Sequence, residues 1–199
     1  MNFTPRILIA PVVALALSTG LAGCVSLSPK LPPSLLTLTP TSSAPAGQTA
    51  ATSASRAIAV FEPEAPLRID VMRVPVQIDD SSVAYLKDAQ WVDKPARLFR
   101  QLLAETIRVK TGRMVIADDE PALRADAQLR GTLLDFGYDA RASSVVVRFD
   151  AIRTAKDGKV ETRRFEAVVP GIPAEAGPVG SALNDAANDV AGQVADWIG

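Results

Sequence analysis

The first 24 residues constrain the fold most, because they decide where the folded part of the chain can begin. Arg6 precedes an apolar stretch of about 11 residues from Ile7 to Leu17. That length suits a signal peptide and is too short for a bilayer core of about 30 Å. The sequence Leu21-Ala22-Gly23-Cys24 then has the small residues and the cysteine of a lipobox. The pattern predicts a signal peptide over residues 1–23 and a mature chain that begins at Cys24.

Cys24 is the only cysteine of the chain, and the lipobox explains its position. We expect its sulfur to carry diacylglycerol and its amino group a further acyl chain such as palmitate. The alternative interpretation is a free cysteine at the end of a transmembrane anchor. Several acyl chains hold a protein on a membrane far more firmly than a single reversible chain does. Val25 stands where Asp commonly retains lipoproteins at the inner membrane, so we expect a location on the periplasmic face of the outer membrane.

The overall composition excludes several functional classes. The chain has no histidine, which removes the commonest general base, the commonest neutral metal ligand and every Ser-His-Asp or Cys-His arrangement. One cysteine cannot form an intramolecular disulfide or a thiolate zinc site. The formal net charge is −1 and only 5% of the residues are aromatic. Without a basic excess or base-stacking rings, we do not expect a nucleic-acid partner.

The segment that follows the lipobox has the composition of a tether. Residues 25–55 contain one charge, Lys30, and consist mostly of Ser, Thr, Ala, Pro, Gly and Gln. Such a stretch cannot bury enough apolar surface to offset its ordering entropy. The exception is the leucine-rich patch at 34–40, which predicts a short strand docked on the domain, whereas Thr41 to Ser55 is the part expected to be flexible. A single globular domain is predicted over 56–199, after a lipidated tether over 24–55.

The pattern of apolar residues in the domain alternates between strand and helix periods. Helices are predicted at 93–111 and 181–198, with Asp93 capping the first, Pro95 in its first turn and Gly112 following its last turn. Strands are predicted at 57–62, 67–78, 114–117, 127–138, 143–154 and 159–169. For residues 83–86 and the Trp91 region, short strands and an ordered loop are both compatible with the pattern. This order predicts an α+β fold, in which a mainly antiparallel β-sheet carries two principal helices packed on one face.

One turn, one proline and two glycines give local predictions for those strands. Asp157-Gly158 predicts a two-residue hairpin of type I′, because both residues tolerate positive φ. Pro75 cannot donate a ladder hydrogen bond and must therefore lie at a sheet edge or a bulge. Gly131 and Gly137 lie inside a strand pattern and indicate bulges rather than a phosphate cradle.

Carboxylates are the remaining groups that could carry chemistry. The densest cluster, Asp118-Asp119-Glu120, follows a strand and precedes Pro121. Neighbouring side chains do not converge by themselves and no Gly-centred calcium loop follows, which favours a solvated turn over a cation site. A hydrolase would need two carboxylates facing across a cleft, and nothing marks such a pair. We therefore expect no enzymatic activity, no catalytic residue, no metal and no cofactor.

The segment from Val83 to Pro95 concentrates aromatic residues just ahead of a helix. It contains Tyr85 and Trp91, one of two tyrosines and one of two tryptophans in the chain. Two interpretations stand at this point: both rings complete the core under a loop, or they form a partner-binding surface. The candidate partner-binding residues are Tyr85, Trp91 and Asp93.

With these motifs the chain resembles the ABC-type transport auxiliary lipoproteins, a PqiC-like family. The resemblance covers essentially all of the mature chain, and the stretch from Tyr85 to Pro95 is its most specific part. The residues that carry it are, in order, Cys24, Leu35 to Leu38, Arg73-Val74-Pro75-Val76, Tyr85-Leu86, Trp91, Pro95 and Leu98.

The resemblance implies a non-catalytic accessory of a transport system. Its partners would be an ABC permease, an ATPase and an MCE-domain protein anchored in the inner membrane, which together move lipids or other hydrophobic molecules across the periplasm. The lipoprotein would form the outer-membrane end of that system and dock the MCE assembly, as a homo-oligomeric ring of copies. The alternative is a stand-alone lipoprotein that binds a ligand in an apolar cavity or supports outer-membrane assembly.

Overall fold

A computed structural model describes residues 32, 34–47, 57–117 and 125–199. The predicted signal peptide, Cys24 and the acidic cluster Asp118-Asp119-Glu120 lie outside the described residues. The described chain forms seven strands and two helices. They are β1 (Ile58–Val60), β2 (Arg73–Gln77), β3 (Val83–Gln90), α1 (Pro95–Thr111), β4 (Val115–Ala117), β5 (Ala127–Asp139), β6 (Ser144–Ala155), β7 (Val160–Pro170) and α2 (Ala176–Ile198).

The sheet is organised around β5. Strand β6 pairs antiparallel with β5 over its whole length, and β7 continues the antiparallel pairing on the far side of β6. The other edge of β5 is shared, because β1 pairs parallel with its first residues and β2 parallel with its last. Strand β4 then extends the sheet from β1, and β3 extends it from β2. Antiparallel pairs dominate this mixed sheet, which confirms the predicted α+β class.

Both helices pack against each other and against the sheet, and the core lies between these two layers. Strand β6 shows the alternation most clearly, because Val145, Val147, Phe149 and Ala151 are all buried. The Phe99 ring of α1 meets the Phe149 ring edge-on, with 5.4 Å between ring centroids. Helix α2 contributes a stripe of small and branched residues to the same core: Leu183, Ala186, Ala187, Val190 and Val194.

The strand predicted at 67–78 is wrong in its first half. The backbone N–H groups of Ile69 and Asp70 both donate to the Pro66 carbonyl, at 2.8 and 3.0 Å, so residues 67–72 form turns. Ile69 is buried whereas Leu67 is 85% exposed. The apolar and polar residues of this segment alternate as they would in a strand, although the backbone forms turns. Pro75 lies at a bulge as predicted, because the register between β2 and β3 shifts beside it.

Both helices begin at positions that differ from those predicted. Lys94, not Asp93, precedes the first turn of α1, and no side chain caps that turn. Asp93 instead accepts a hydrogen bond from the Lys94 N–H (2.7 Å) and pairs with Arg97. Helix α2 begins at Ala176, five residues before the predicted start, with Pro178 in its first turn. Proline is tolerated there because the N–H that it lacks would have no partner within the helix.

The hairpin between β6 and β7 is longer than the predicted two-residue turn. Gly158 has φ of 81°, but Asp157 is not among the residues with positive φ, so the turn is not type I′. The Gly158 N–H donates to the Ala155 carbonyl, and the Ala155 N–H donates to the Lys159 carbonyl, each at 2.9 Å. This is the pattern of a turn followed by a left-handed glycine, which needs positive φ at the glycine alone.

Candidate anchoring and partner-binding surface

The leucine-rich patch joins the domain beside Trp91. The Leu36 N–H donates to the Gln90 carbonyl at 2.7 Å, and the Val92 N–H donates to the Leu36 carbonyl at 2.9 Å. These two bonds form a one-residue parallel bridge between Leu36 and Trp91. The patch therefore extends the sheet beyond β3 at a single residue.

The Leu36 side chain packs against a glycine of α2, the residue type that has no side chain. A Cβ atom built on Gly180 would lie 2.5 Å from Leu36 Cδ2, closer than carbon atoms approach in proteins. Glycine at position 180 therefore gives the space that Leu36 occupies.

Two asparagines on α2 hold the chain that follows Leu36. Asn184 and Asn188 are one helical turn apart and lie on the same face. The Thr39 N–H donates to Asn184 Oδ1 at 2.8 Å, and the Thr41 N–H donates to Asn188 Oδ1 at 2.9 Å. Asn188 Nδ2 returns a hydrogen bond of 2.9 Å to the Thr39 carbonyl. The two side-chain amides thus provide hydrogen-bond partners for backbone groups of Thr39 and Thr41, which are not paired with a strand.

The same segment then reaches α1. The Ala44 N–H donates to Glu105 Oε1 at 2.7 Å. Thr41 and Ala44, which lie in the part expected to be flexible, are thus bonded to α2 and α1 in this structure. We call residues 34–44 the N-terminal strap.

Trp91 lies entirely inside the domain. It has no exposed surface, and its ring meets the Phe136 ring edge-on at 5.5 Å between centroids. Its backbone N–H donates to the Met72 carbonyl at 2.8 Å. The ring is therefore a core residue that supports β3 and the strap, and it does not present a contact surface in this structure.

Tyr85 occupies a different environment from Trp91. Its ring is half-buried and lies under the Arg73 guanidinium, 3.8 Å from the ring centroid. That distance places the cation within the range of a cation–π interaction. Tyr85 is therefore a partly exposed residue of the outer strand β3, unlike the fully buried Trp91.

An outward bulge follows Tyr85 along β3. Tyr85 is opposite Pro75 and Gln90 is opposite Arg73, so residues 86–89 of β3 face a single residue of β2. Lys87 and Asp88 are exposed at this bulge, and Asp88 has φ of 56°. Sequence reasoning missed the bulge, although a Lys-Asp pair inside an apolar strand is the signal that could have indicated it.

Asp93 lies half-buried at the foot of α1, beyond the bulge. Its carboxylate pairs with Arg97 at 3.2 Å, and this charge raises the pKa of Arg97 above its usual value. Of the three predicted partner-binding residues, Tyr85 and Asp93 reach the surface and Trp91 lies behind them.

A polar cleft of about 350 Å³ opens on the face of the sheet away from the helices. Asp135 is paired with both Arg68 and Arg148, and Arg141 is paired with Asp139 and Asp80. The hydrogen bonds from Arg141 hold the pKa of Asp139 below its usual value, and those from Arg164 do the same for Asp150 nearby. Each of these carboxylates is paired with an arginine, an arrangement typical of a structural charge network.

Two properties of the described residues bear on membrane and metal binding. Neither α1 nor α2 combines the length and the apolar character needed to cross a membrane. Within 32, 34–47, 57–117 and 125–199, no group of three or more His, Cys, Asp or Glu side chains is arranged to hold a metal ion.

Solved structures with the same fold are distant in sequence. A Xanthomonas campestris protein of the family DUF330 is 17% identical, with a TM-score of 0.69, and the match covers 83% of this chain and 94% of that one. The crystal structure of an uncharacterized protein is 16% identical, with a TM-score of 0.63 and coverage of 72% and 92%. The PelC dodecamer of Paraburkholderia phytofirmans is 14% identical over 71% and 90%, and its TM-score of 0.40 carries no argument here.

Relatedness by sequence comes from a family profile. None of the proteins with curated descriptions matches the chain significantly. The profile of the ABC-type transport auxiliary lipoprotein component family matches residues 36–195, from the bridging leucine of the strap almost to the end of α2. This range is most of the chain and includes the strap from Leu36 onward, the β3 bulge, α1 and α2 as far as Ala195. The protein therefore belongs to the ABC-type transport auxiliary lipoprotein component family.

Proposed function

We propose that this protein is a periplasmic lipoprotein, anchored in the outer membrane, that serves as a non-catalytic accessory of an MCE-type ABC transport system for lipids or other hydrophobic molecules. The observation that carries the proposal is the family match over residues 36–195. The lipobox at Cys24 and the valine that follows it support the anchor and its membrane. In this assignment the permease and ATPase of the same system supply the energy. The lipoprotein contributes its position at the outer membrane and its contacts with the partner proteins.

The strap determines how far the domain can stand from its anchor. Cys24 and Leu36 are 12 residues apart, and a fully extended chain of that length spans about 40 Å. Because Leu36 is bonded to Gln90 and Val92, the part of the chain available as a tether is short. A lipidated Cys24 would therefore keep the domain close to the membrane surface, unlike a tether that is free as far as Ser55.

The exposed β3 bulge is the surface that best suits a protein partner. Tyr85, Lys87 and Asp88 offer one amphipathic ring and both signs of charge at a sheet edge, and Asp93 adds a carboxylate beside them. Aromatic residues with a polar rim are enriched in protein interfaces. Trp91 supports this surface from behind, because it fixes β3 against Phe136. We assign this surface to the MCE-domain protein, with several copies of the lipoprotein in the assembly.

The ligand-binding form of the alternative function requires an apolar cavity of lipid size. Three concavities of the described residues, of about 350, 500 and 520 Å³, are open to solvent and lined partly by charged side chains. The second lies beside the strap with Lys110, Asp189 and Asp196 on its wall, and the third includes Asp150 and Arg164. The charged side chains on their walls favour the accessory role over lipid storage at these three sites.

Affinity capture of the full lipidated chain from crosslinked cell envelopes tests the proposal. The expected result is recovery of an MCE-domain protein together with the permease and ATPase of one transport system. The matched control is the same capture from cells in which the MCE gene is deleted, where the permease and ATPase should be lost as well. Repeated capture without an MCE-domain protein, while both proteins are expressed, would contradict the proposal and favour a stand-alone lipoprotein.

A further inference from the structure

Several of the most exposed apolar side chains gather around Trp91. Within the part of the chain that the structure describes, ten large hydrophobic residues are exposed, and four of them occur here. Leu67 is 85% exposed, and Leu35, Met72 and Val92 are 46%, 44% and 47% exposed. Single exposed hydrophobic residues are ordinary on a protein surface, whereas a group of them in one place indicates an interaction site.

Backbone hydrogen bonds hold three of these residues next to Trp91. The Val92 N–H donates to the Leu36 carbonyl at 2.9 Å, and the Trp91 N–H donates to the Met72 carbonyl at 2.8 Å. The side chains of Leu36 and Trp91 face into the domain. Residues next to them in an extended chain face the opposite side, which accounts for the exposure of Leu35 and Val92.

The fourth residue, Leu67, lies on the turn that leads into Met72. An ion pair of 2.9 Å between Asp70 and Lys94 fastens this turn beside the chain that follows Val92. The turn and the residues around Trp91 therefore form one surface. We call Leu35, Leu67, Met72 and Val92 the apolar corner.

The charged side chains at the rim of the apolar corner are paired. Arg68, next to Leu67, pairs with Asp135 at 2.7 Å, and Lys94 pairs with Asp70. Long basic side chains can lay their apolar stems along an apolar surface while the charged ends stay in water. An apolar centre with a rim of this kind suits the boundary between lipid headgroups and acyl chains.

The segment that carries the predicted lipid anchor joins the domain at this corner. Cys24 is 11 residues before Leu35, and a chain of that length spans at most about 40 Å. Leu36 contacts Gly180 on α2, and Trp197 near the other end of that helix is about 25 Å further away, at about 1.5 Å per residue. Of these two ends of the domain, the apolar corner is the one to which the lipidated segment is attached.

We propose that the apolar corner inserts into the headgroup region of the membrane that holds the anchor, so that the domain itself contacts lipid. This inference rests on the proposed anchor at Cys24 and adds a second membrane contact to it. The acyl chains keep the protein on the membrane, and the four side chains fix the orientation of the domain. A lipid surface is the occupant because the short covalent tether holds this corner near one.

A fluorescent probe on the full lipidated chain tests this contact. Because lipid occupies the sulfur of Cys24, a cysteine introduced by Leu67→Cys is the only free thiol of the mature chain. It is labelled with an environment-sensitive dye, and the chain is reconstituted in vesicles of phosphatidylethanolamine and phosphatidylglycerol. We expect blue-shifted emission that lipids spin-labelled near the headgroup quench by about twofold or more.

Val160→Cys is the matched control, because Val160 is also an exposed apolar residue, with 59% of its surface accessible. It pairs with Thr154, and the adjacent Arg153 donates to the Trp197 carbonyl at 3.3 Å, at the far end of α2. A dye at this position should emit as it does in water and should not be quenched.

The possible outcomes separate the contact from the anchor. Equal quenching at positions 67 and 160, or none at 67 in a chain that mass spectrometry shows to be acylated, would overturn the contact and leave the anchor intact. Blue-shifted emission at 67 that spin-labelled lipid does not quench would indicate that a second copy covers the corner, and this also overturns the contact. A chain without acyl groups would contradict the anchor and the contact together.

Removal of apolar side chains tests whether they hold the orientation. With the dye at Val92→Cys, the added changes Leu67→Ser and Met72→Ser are expected to reduce quenching about threefold or more, because binding scales with buried apolar area. Both side chains are exposed, so the circular dichroism spectrum should not change. Ile152→Ser, at an exposed apolar residue of β6 outside the corner, is the matched control and should leave quenching unchanged. Quenching that persists after both corner substitutions would overturn the proposal.

Discussion

Leu36 and Gly180 are in such close contact that a methyl group on Gly180 would lie 2.5 Å from Leu36 Cδ2. The two residues are 144 positions apart in the sequence, and their contact joins the segment nearest the predicted anchor to the terminal helix. The strap is therefore part of the folded domain. A force or a restraint applied at Cys24 would reach the domain through Leu36.

Replacement of Gly180 by alanine is expected to displace the strap while leaving α2 intact. Alanine raises helix propensity by up to about 1 kcal/mol, but its Cβ would overlap Leu36, and overpacking typically costs about 1–3 kcal/mol. We expect amide exchange at residues 36–41 to accelerate roughly tenfold, which corresponds to about 1.4 kcal/mol at the lower end of that range. Hydrogen exchange with mass spectrometry measures this change.

Gly177→Ala is the matched control for that substitution. Gly177 lies in the first turn of the same helix, and a Cβ built there meets nothing within 4 Å. It should leave exchange in the strap unchanged. If both substitutions accelerated exchange equally, or neither did, the contact between Leu36 and Gly180 would not hold the strap.

Trp91 and Tyr85 are expected to respond differently to substitution. Trp91→Ala removes a completely buried ring from its contact with Phe136 and should lower the free energy of unfolding by about 3–5 kcal/mol. Tyr85→Ala removes a half-buried ring at the sheet edge and should cost about 1 kcal/mol or less while it weakens partner capture. Urea unfolding followed by circular dichroism gives both stabilities. A Trp91→Ala domain as stable as the wild type would show that the ring is not a core residue.

Much of this fold is predictable because its pattern is local. In β6 the alternation of Val145, Val147, Phe149 and Ala151 predicts both the strand and its buried face, since side chains in a strand change sides at every residue. The periodic apolar residues of α1 and α2 predict two helices in the same way. The boundaries are less certain, because Pro178 is compatible both with a loop and with the first turn of a helix.

The strap and the bulge lie beyond local prediction. In the sequence, Asn184 and Asn188 are ordinary polar residues of a helix. Their role depends on Thr39 and Thr41, which lie about 145 positions earlier and contact them only in the folded chain. The segment 67–72 contains a single buried residue, Ile69. One buried residue is compatible with a turn as well as with a strand. For the candidate site, the sequence indicated the segment from Val83 to Pro95 but could not separate buried Trp91 from the surface residues Tyr85 and Asp93.

Acid is expected to weaken the arginine–aspartate pairs on the open face of the sheet. The pKa of Asp139 is lowered by hydrogen bonds from Arg141, and that of Asp150 by hydrogen bonds from Arg164. A lowered pKa in the folded state contributes stability above the unfolded value of about 3.9. That contribution is lost as the pH falls below about 4 and through the folded values. Melting temperatures between pH 6 and pH 3 should therefore decline most steeply at the acid end.

Asp150→Asn tests how much of that decline in melting temperature comes from the pair between Asp150 and Arg164. The variant should be less stable than the wild type near pH 6, and the difference should shrink as the pH falls through the lowered pKa of Asp150. Asp185→Asn, an exposed position on α2, serves as the control and should keep the wild-type pH dependence. A constant difference between Asp150→Asn and the wild type across this range would show that the charge of Asp150 is not involved.

Cys24→Ala is expected to release the chain from the membrane. The substitution removes the sulfur that the lipid needs. Mass spectrometry should detect acyl chains on the wild type and none on the variant. On a density gradient the wild type should sediment with outer-membrane markers. An acylated Cys24→Ala chain, or a wild type found with inner-membrane markers, would contradict the proposed anchor.

Site-specific photocrosslinking in intact cells tests the central claim, that the β3 bulge docks an MCE-domain protein. A photoreactive residue at Tyr85 or Lys87 lies on this surface, whereas the same residue at Asp157 lies in the hairpin at the opposite end of the sheet. We predict adducts with an MCE-domain protein from positions 85 and 87 and none from position 157. Adducts with that protein from position 157 alone would contradict the assigned surface, and the absence of such adducts from all three positions would contradict the proposed function.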